Sequence, residues 1–318
     1  MLRVKNLRAY YETDRGPVKA VDNVSFEIES NQIVGIAGES GCGKSTLIKV
    51  LYDNVEKPLR VVDGSVEMQF GDQALNPHVL RTGEIDQVWW RDISYVPQSS
   101  MNVLNPVMRI EHQFFDAIPD QQKKDKKKIR MQIVSHLNEV GLPGDVLGFF
   151  PHQLSGGMRQ RVIIALATFM HPRLVLADEP TTALDVVVQK DILAMLVRLQ
   201  QKMQNTVVIV SHDIAVHYQI TKRLLIMYAG KLVEYGPTDS VFTELKHPYT
   251  NLLIRSLPRI GDGSSRQGIS GSPPSLFNPP EGCRFAPRCP LAMDKCQRVE
   301  PVLRNVGAEH YVACHLHE

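Results

Sequence analysis

The segment GESGCGKST, residues 38–46, stands between the apolar run QIVGIA and the apolar segment LIKVLY, and this placement constrains the chain more than any other feature. G-x-x-x-x-G-K-S between a strand and a helix is the pattern of a loop that cradles phosphate. Its glycines let backbone N–H groups turn inward around phosphate oxygens, and the following helix presents its positive end to them. Lys44 supplies a point charge for the β and γ phosphates of a nucleotide, and Ser45 is the expected Mg²⁺ ligand. Gly38, Glu39, Ser40, Gly41, Cys42, Gly43, Lys44, Ser45 and Thr46 are therefore candidate nucleotide contacts. Cys42 reads as a small filler rather than a nucleophile. The alternative, a glycine-rich turn without a ligand, is disfavoured by the flanking strand and helix.

The surrounding pattern is that of an α/β protein. QIVGIAG, LVLADEP and TVVIVSHD are short continuous apolar runs, as expected of parallel strands buried on both faces. Near the start, Val24, Phe26 and Ile28 alternate with Ser25, Glu27 and Glu29, which predicts a half-buried antiparallel strand. After Asp185, the apolar residues Val188, Ile192, Met195, Leu196, Leu199 and Met203 recur at helical spacing. Helical patterns dominate residues 100–170, and the KKDKKK run at 123–128 reads as a solvated helix face. After Pro258 the composition shifts to Gly, Ser and Pro, which predicts a linker over 259–282 and a small module over 283–318, following a main domain over 1–258. With 36 basic and 34 acidic side chains in 318 residues, nothing in the charge calls for nucleic acid as a partner. No window holds the roughly 18 apolar residues of a membrane span, and MLRVKNLRAY lacks a signal-peptide core, so a soluble cytoplasmic chain is expected.

LVLAD ends in Asp178 and Glu179, adjacent carboxylates at the carboxyl end of a strand, where open α/β sheets bind ligands. An aspartate there can hold Mg²⁺, and the glutamate is placed to polarise the water that attacks a γ-phosphate. Upstream of them lies LSGGMRQR, residues 154–161. It resembles the signature segment of ABC-type ATPases, with Met158 where a glutamine is common. Physically it is a glycine turn opening a helix, so that Ser155, Gly156 and Gly157 expose N–H groups at a helix N-terminus. The resemblance implies that this end caps the γ-phosphate held by a second subunit. Other positions match in turn. Gln98 in SYVPQSS looks like the Q-loop glutamine, which senses Mg²⁺ and meets a membrane subunit. Asp185, after Ala183 and Leu184, looks like the D-loop aspartate, and His212 in IVSHD like the switch histidine that holds the γ-phosphate. Tyr11 matches the aromatic that stacks on adenine, with Tyr10 as its competitor.

NVLNP, HQLSGGM, DEPTTALDV, MYAG and HPYTNLL together resemble the dipeptide and oligopeptide importer branch of that family. The implied fold is a P-loop NTPase of the ABC type, with a RecA-like core, an antiparallel β subdomain, a helical subdomain at about 100–170 and a C-terminal extension. ATP and Mg²⁺ are the implied cofactors. The implied partners are a second ATPase subunit, favoured as a heterodimer, two transmembrane permeases and an extracytoplasmic solute-binding protein, which places the chain at the cytoplasmic face of the cell membrane. Import of oligosaccharides or nickel is the alternative within the family. A soluble ABC-type ATPase acting on nucleic acid or ribosomes is the alternative outside it. Such proteins usually carry two cassettes or a long coiled coil between Lys44 and the signature, whereas here Lys44 and Ser155 are 111 positions apart.

The remaining motif is the tail. Cys283, Cys289, Cys296 and Cys314 are separated by five, six and seventeen residues, without the paired C-x-x-C spacing of zinc sites. Four thiolates can still enclose a metal or a [4Fe–4S] cluster, and four reduced thiols are the simpler possibility. The tail pattern C-x-x-x-x-R-C-P-x-A also resembles that of the importer branch, which favours a [4Fe–4S] cluster over Zn²⁺, in a structural or sensing role.

Overall fold

The three apolar runs become short strands in which every residue is buried, Ile33–Ala37, Leu174–Asp178 and Thr206–Val210. A strand covered on both faces has no solvated side, so its sequence shows no alternation. The computed structural model describes residues 1–71, 73–80, 84–85, 88–98, 103–256 and 268–318. In chain order its strands are β1 (Leu2–Thr13), β2 (Gly16–Ile28), β3 (Ile33–Ala37), β4 (Leu59–Phe70), β5 (Gln73–Leu75), β6 (Ile93–Val96), β7 (Leu174–Asp178), β8 (Thr206–Val210), β9 (Arg223–Tyr228), β10 (Lys231–Pro237), β11 (Arg304–Asn305) and β12 (Tyr311–Val312). The helices are α1 (Lys44–Leu51), α2 (Ile110–Ala117), α3 (Lys126–Glu139), α4 (Gly156–Thr168), α5 (Val186–Met203), α6 (Ile214–Ile220), α7 (Thr238–Glu244), α8 (Pro248–Arg255) and α9 (Asp294–Arg298).

The chain divides into two compact units, one comprising Met1–Ser30, Val34–Val79 and Val210–Glu318, the other Asn31–Ile33 and Leu80–Ile209. The first unit carries an antiparallel sheet in the order β2-β1-β4-β5 and a second run of strands in the order β11-β12-β10-β9-β3. In that second run β3 and β9 are parallel, while β9, β10, β12 and β11 pair antiparallel. The alternation predicted for the opening strands is present in β2, with Val24, Phe26 and Ile28 buried and Glu27 exposed. In the second unit the strand order is β8-β7-β6, and β6 and β7 are parallel. Its helices α2, α3 and α4 occupy the region expected to be helical, of which Asn102 and its neighbours up to residue 99 lie outside the described residues. Residues 124–128 of the lysine run are exposed, as expected of a solvated face, while Lys123 is half-buried, and Asp125 caps α3 by accepting a hydrogen bond from the Lys128 N–H at 2.9 Å. On α5 the buried stripe is Ile192, Leu193, Met195, Leu196 and Leu199, so the periodicity after Asp185 marks a real helix face.

The cysteine tail is built into the first unit. Residues 257–267, most of the first half of the expected linker, lie outside the described residues, and 268–282 form neither helix nor strand. Beyond them β12 adds to the edge of β10, pairing Glu234 with Val312 and Tyr235 with Tyr311. Phe285 is 1% exposed in a core with Tyr228, Tyr249, Val241 and Ile254. Burying an aromatic ring of this kind contributes about 2–3 kcal/mol. Arg284, also buried, donates to Asp22 and to the Ala229 carbonyl. His310 meets the fully buried carboxylate of Glu234 at 2.7 Å. A short sequence with little core of its own is therefore ordered by the core of its neighbour.

Two buried histidines make this unit acid-sensitive. His247 caps α8 by accepting the Tyr249 N–H at its Nδ1, 3.0 Å away, and burial lowers its pKa from 6.5 to about 3. His217 donates from Nε2 to the Ser211 carbonyl, and burial lowers its pKa to about 4. Both are neutral when folded, whereas the unfolded chain takes up protons near the ordinary value. Stability is thus full above pH 6.5 and falls as pH drops towards 4, by about 3 kcal/mol for His217 alone. Denaturant titrations at pH 7 and pH 5 should show this loss, and a smaller one in His247→Asn, whose side chain keeps the cap but does not titrate.

Candidate nucleotide site

In the first unit the glycine loop runs from the end of β3 to the start of α1. Gly43 occupies the N-cap of α1 with φ +106°, and no side chain caps the helix, so its positive end faces the loop. A Cβ on Gly43 would stand 2.0 Å from the Ala20 carbonyl oxygen, and one on Gly38, at φ +147°, would stand 2.1 Å from that of Met227. The backbone approach that forms the cradle is open only to glycine. Lys44 is 6% exposed, and its ammonium donates to the carbonyls of Gly38 at 2.7 Å and Glu39 at 3.0 Å. Cys42 is buried and its thiol is raised by desolvation, so it stays protonated and fills space as expected.

Tyr11 and Tyr10 are separated by their partners. The Tyr11 hydroxyl lies 3.3 Å from Thr46 Oγ1 at the end of the glycine motif, whereas that of Tyr10 donates to Asp22 at 2.6 Å. Tyr11 is thus the one beside the cradle. His212 is exposed in the turn between Ser211 and Asp213, where Ser211 Oγ accepts the Asp213 N–H at 3.0 Å and Asp213 caps α6.

The second unit gathers the other half of the motif set. Asp178 is 2% exposed at the end of β7. Glu179 follows in the left-handed region with φ +49°. Its Oε2 accepts from Gln98 Nε2 at 2.8 Å and from the Thr182 hydroxyl at 2.9 Å, so Gln98 and the glutamate after the strand share one hydrogen-bonded group. Ser155 caps α4 by accepting the Met158 N–H, and Gly156 and Gly157 form the first turn. A Cβ on Gly157 would stand 2.8 Å from Val188 Cγ1, and one on Gly156 would stand 3.7 Å from Leu184, so α4 starts against the loop that leads into α5. Asp185 caps α5, accepting from the N–H groups of Val187 and Val188 at 3.1 and 2.9 Å.

The tail cysteines are all free thiols. Burial pushes the Cys283 thiol up to about 11 and raises those of Cys289 and Cys314. Among the described residues, however, no group of three or more His, Cys, Asp or Glu side chains is arranged to hold a metal ion. The expected [4Fe–4S] or Zn²⁺ site on Cys283, Cys289, Cys296 and Cys314 is therefore not preformed. Among the described residues no helix is long and apolar enough to cross a membrane.

Three residues around the loop escaped the sequence reading. The Tyr249 hydroxyl accepts the Glu39 N–H at 2.8 Å, and Arg288 holds the Glu39 carboxylate and the Tyr228 hydroxyl. HPYT was legible as a helix start with Pro248 in the first turn, and it is one. Its contact with the loop depends on folding across 210 positions.

The first unit holds a glycine cradle with a buried lysine, and the second holds a strand-end aspartate followed by a glutamate tied to a glutamine; each is a feature of nucleotide-hydrolysing proteins. The chain matches the ABC transporter family over residues 21–182 and the oligopeptide/dipeptide transporter C-terminal region over residues 233–296. It is 39% identical to the dipeptide transport ATP-binding protein DppD of Caldanaerobacter subterraneus subsp. tengcongensis, across 100% of this chain and 97% of that protein. Against the oligopeptide transport ATP-binding protein AppD of Bacillus subtilis the identity is 37%, across 100% and 97%. The dimeric structure of the ABC transporter cassette MJ0796 superposes with a TM-score of 0.65 at 27% identity, covering 75% of this chain and 99% of that one. The chain belongs to the ATP-binding subunits of the ABC transporter family, and it is an ATPase.

The cradle sets a test. Gly43→Ala places a methyl group against the Ala20 carbonyl at a φ that L residues rarely adopt. The substitution should lower the melting temperature and weaken Mg·ATP binding at least about tenfold, read by calorimetry.

Proposed function

We propose that the chain is the energy-coupling subunit of an importer of dipeptides or oligopeptides. The observation that carries this reading is full-length similarity to dipeptide and oligopeptide transport ATP-binding proteins, including the matched C-terminal region. The chain pairs with a second ATPase subunit, as a heterodimer, and docks on two membrane permeases at the cytoplasmic face, with a solute-binding protein on the other side. The transported peptide does not touch this chain, so its contribution is ATP binding and hydrolysis alone.

The roles follow from chemistry. The amides of residues 38–46 and the Lys44 ammonium bind the phosphates. Ser45, Asp178 and Gln98 offer oxygen donors of the kind Mg²⁺ takes, and the ion would neutralise charge that builds on the phosphates. Glu179 takes the proton of the attacking water, with Gln98 and Thr182 fixing its carboxylate. His212 steadies the γ-phosphate and the water. Tyr11 stacks on adenine. Ser155, Gly156 and Gly157 offer the N-terminus of α4 to the nucleotide of the partner ATPase, and Asp185 lines the same face.

Glu179→Gln tests this reading because the amide retains an oxygen for Gln98 and Thr182 yet cannot take a proton. ATP should still bind while hydrolysis falls by about 100-fold or more. In proteoliposomes carrying the permeases, both ATPases and the binding protein, ATP-driven peptide uptake should stop with it. Uptake unaffected by Glu179→Gln, or ATPase activity that responds to nucleic acid rather than to peptide and binding protein, overturns the proposal.

The cysteine tail adds a finer element. Its four thiols are the donor set of a [4Fe–4S] cluster, with Zn²⁺ the alternative, and rearrangement of a module with so little regular structure would gather them. Anaerobically purified protein should then contain about four irons per chain, lost in Cys289→Ser. About one zinc per chain would replace the cluster by the alternative, and protein free of both metals overturns this element and leaves the tail held by Phe285 and its ion pairs.

A further inference from the structure

Glu39 brings a negative charge into the loop that must accept a triphosphate, and the structure disposes of it in a specific way. Arg288, from the cysteine tail, meets it as a two-pronged fork, Nη1 to Oε2 at 2.7 Å and Nη2 to Oε1 at 3.0 Å. The guanidinium has no donor to spare: Nη1 also reaches the Tyr228 hydroxyl at 3.1 Å, Nη2 the Ile269 carbonyl at 3.1 Å and Nε the Ser270 carbonyl at 2.9 Å. Its side chain is 5% exposed against 25% for Glu39. A buried fork with every N–H engaged is rigid, and it is the arrangement in which an arginine–carboxylate pair is strongest. The backbone of Glu39 is held as well, its N–H by Tyr249 and its carbonyl by the Lys44 ammonium.

We propose that Arg288 is a positioning residue of the ATP site, which fixes Glu39 and cancels its charge so that the phosphate loop stays receptive to the anionic nucleotide. The C-terminal tail is on this account part of the ATP-binding machinery, whatever its thiols hold. The inference rests on ATP binding at residues 38–46.

A merely structural brace and a charge-cancelling one predict different signs. Removing Arg288 with Arg288→Met leaves an uncompensated carboxylate beside the phosphates and should weaken Mg·ATP binding by about tenfold, less at high salt. Arg288→Lys, which keeps the charge without the fork, should fall between that variant and the wild type. Glu39→Gln removes the carboxylate and leaves the Arg288 guanidinium uncompensated beside the loop, so Mg·ATP should bind more tightly. The Glu39→Gln/Arg288→Met pair should return to within about threefold of the wild type. Calorimetric titration of the full-length chain with Mg·ATP reads all four, and circular dichroism melts confirm folding. Weakening in both single variants with no recovery in the pair makes the contact a structural brace and overturns the proposal, as does an unchanged affinity in Arg288→Met. Should that variant not fold, the sign for Glu39→Gln and the loss in Arg288→Lys decide alone. Wild-type protein that binds no ATP instead refutes the nucleotide site itself.

Discussion

An ammonium held almost out of water needs oxygen partners, and the loop around Lys44 is shaped to supply them. The carbonyls of Gly38 and Glu39 turn inward to the lysine, and the backbone reaches this shape by pressing its glycines against the carbonyls of Met227 and Ala20. Those two contacts come from β9 and β2, so the local motif depends on strands far along the chain. Where the backbone must pass that close, side chains are excluded, and glycine is a steric requirement rather than a preference.

The same loop is gripped from its other side by residues with no motif of their own. Tyr249 holds the Glu39 N–H and Arg288 its carboxylate, while Phe285 packs the tail into the core beside Tyr228 and Tyr249. A tail too short to bury a core of its own is ordered by this docking. Arg288 of the tail thereby meets the phosphate loop in structure while being far from it in sequence.

In the second unit a different device is at work. Gln98, Glu179 and Thr182 form one hydrogen-bonded group that sets the orientation of the carboxylate proposed to act as base. Ser155 and Asp185 each cap a helix with a side-chain oxygen. A cap is a local structural task, and it orients the helix N-terminus from which an anion is recognised.

Much of this was legible without coordinates. The buried strands were readable because they are continuous apolar runs, and β2 because it alternates; the glycine loop, Asp178 and Glu179 stand in contiguous patterns whose chemistry is local, whereas the parts expected of Gln98, Ser155 and His212 come from the family resemblance. Tyr11 was preferred to Tyr10 on the resemblance, and the structure adds what each hydroxyl meets, Thr46 for one and Asp22 for the other. The place of the tail also required it. Composition marked residues after 258 as separate, and their burial came from Phe285, Arg284 and the pairing of β12 with β10, none of which leaves a periodic trace. Patterns set by backbone geometry, such as helix faces, strand alternation and phosphate loops, are written in neighbouring residues, so the sequence by itself determined them. The pairing of Arg288 with Glu39 across 249 positions was decided by tertiary structure, because a salt bridge records only where two side chains end up and not the spacing between them.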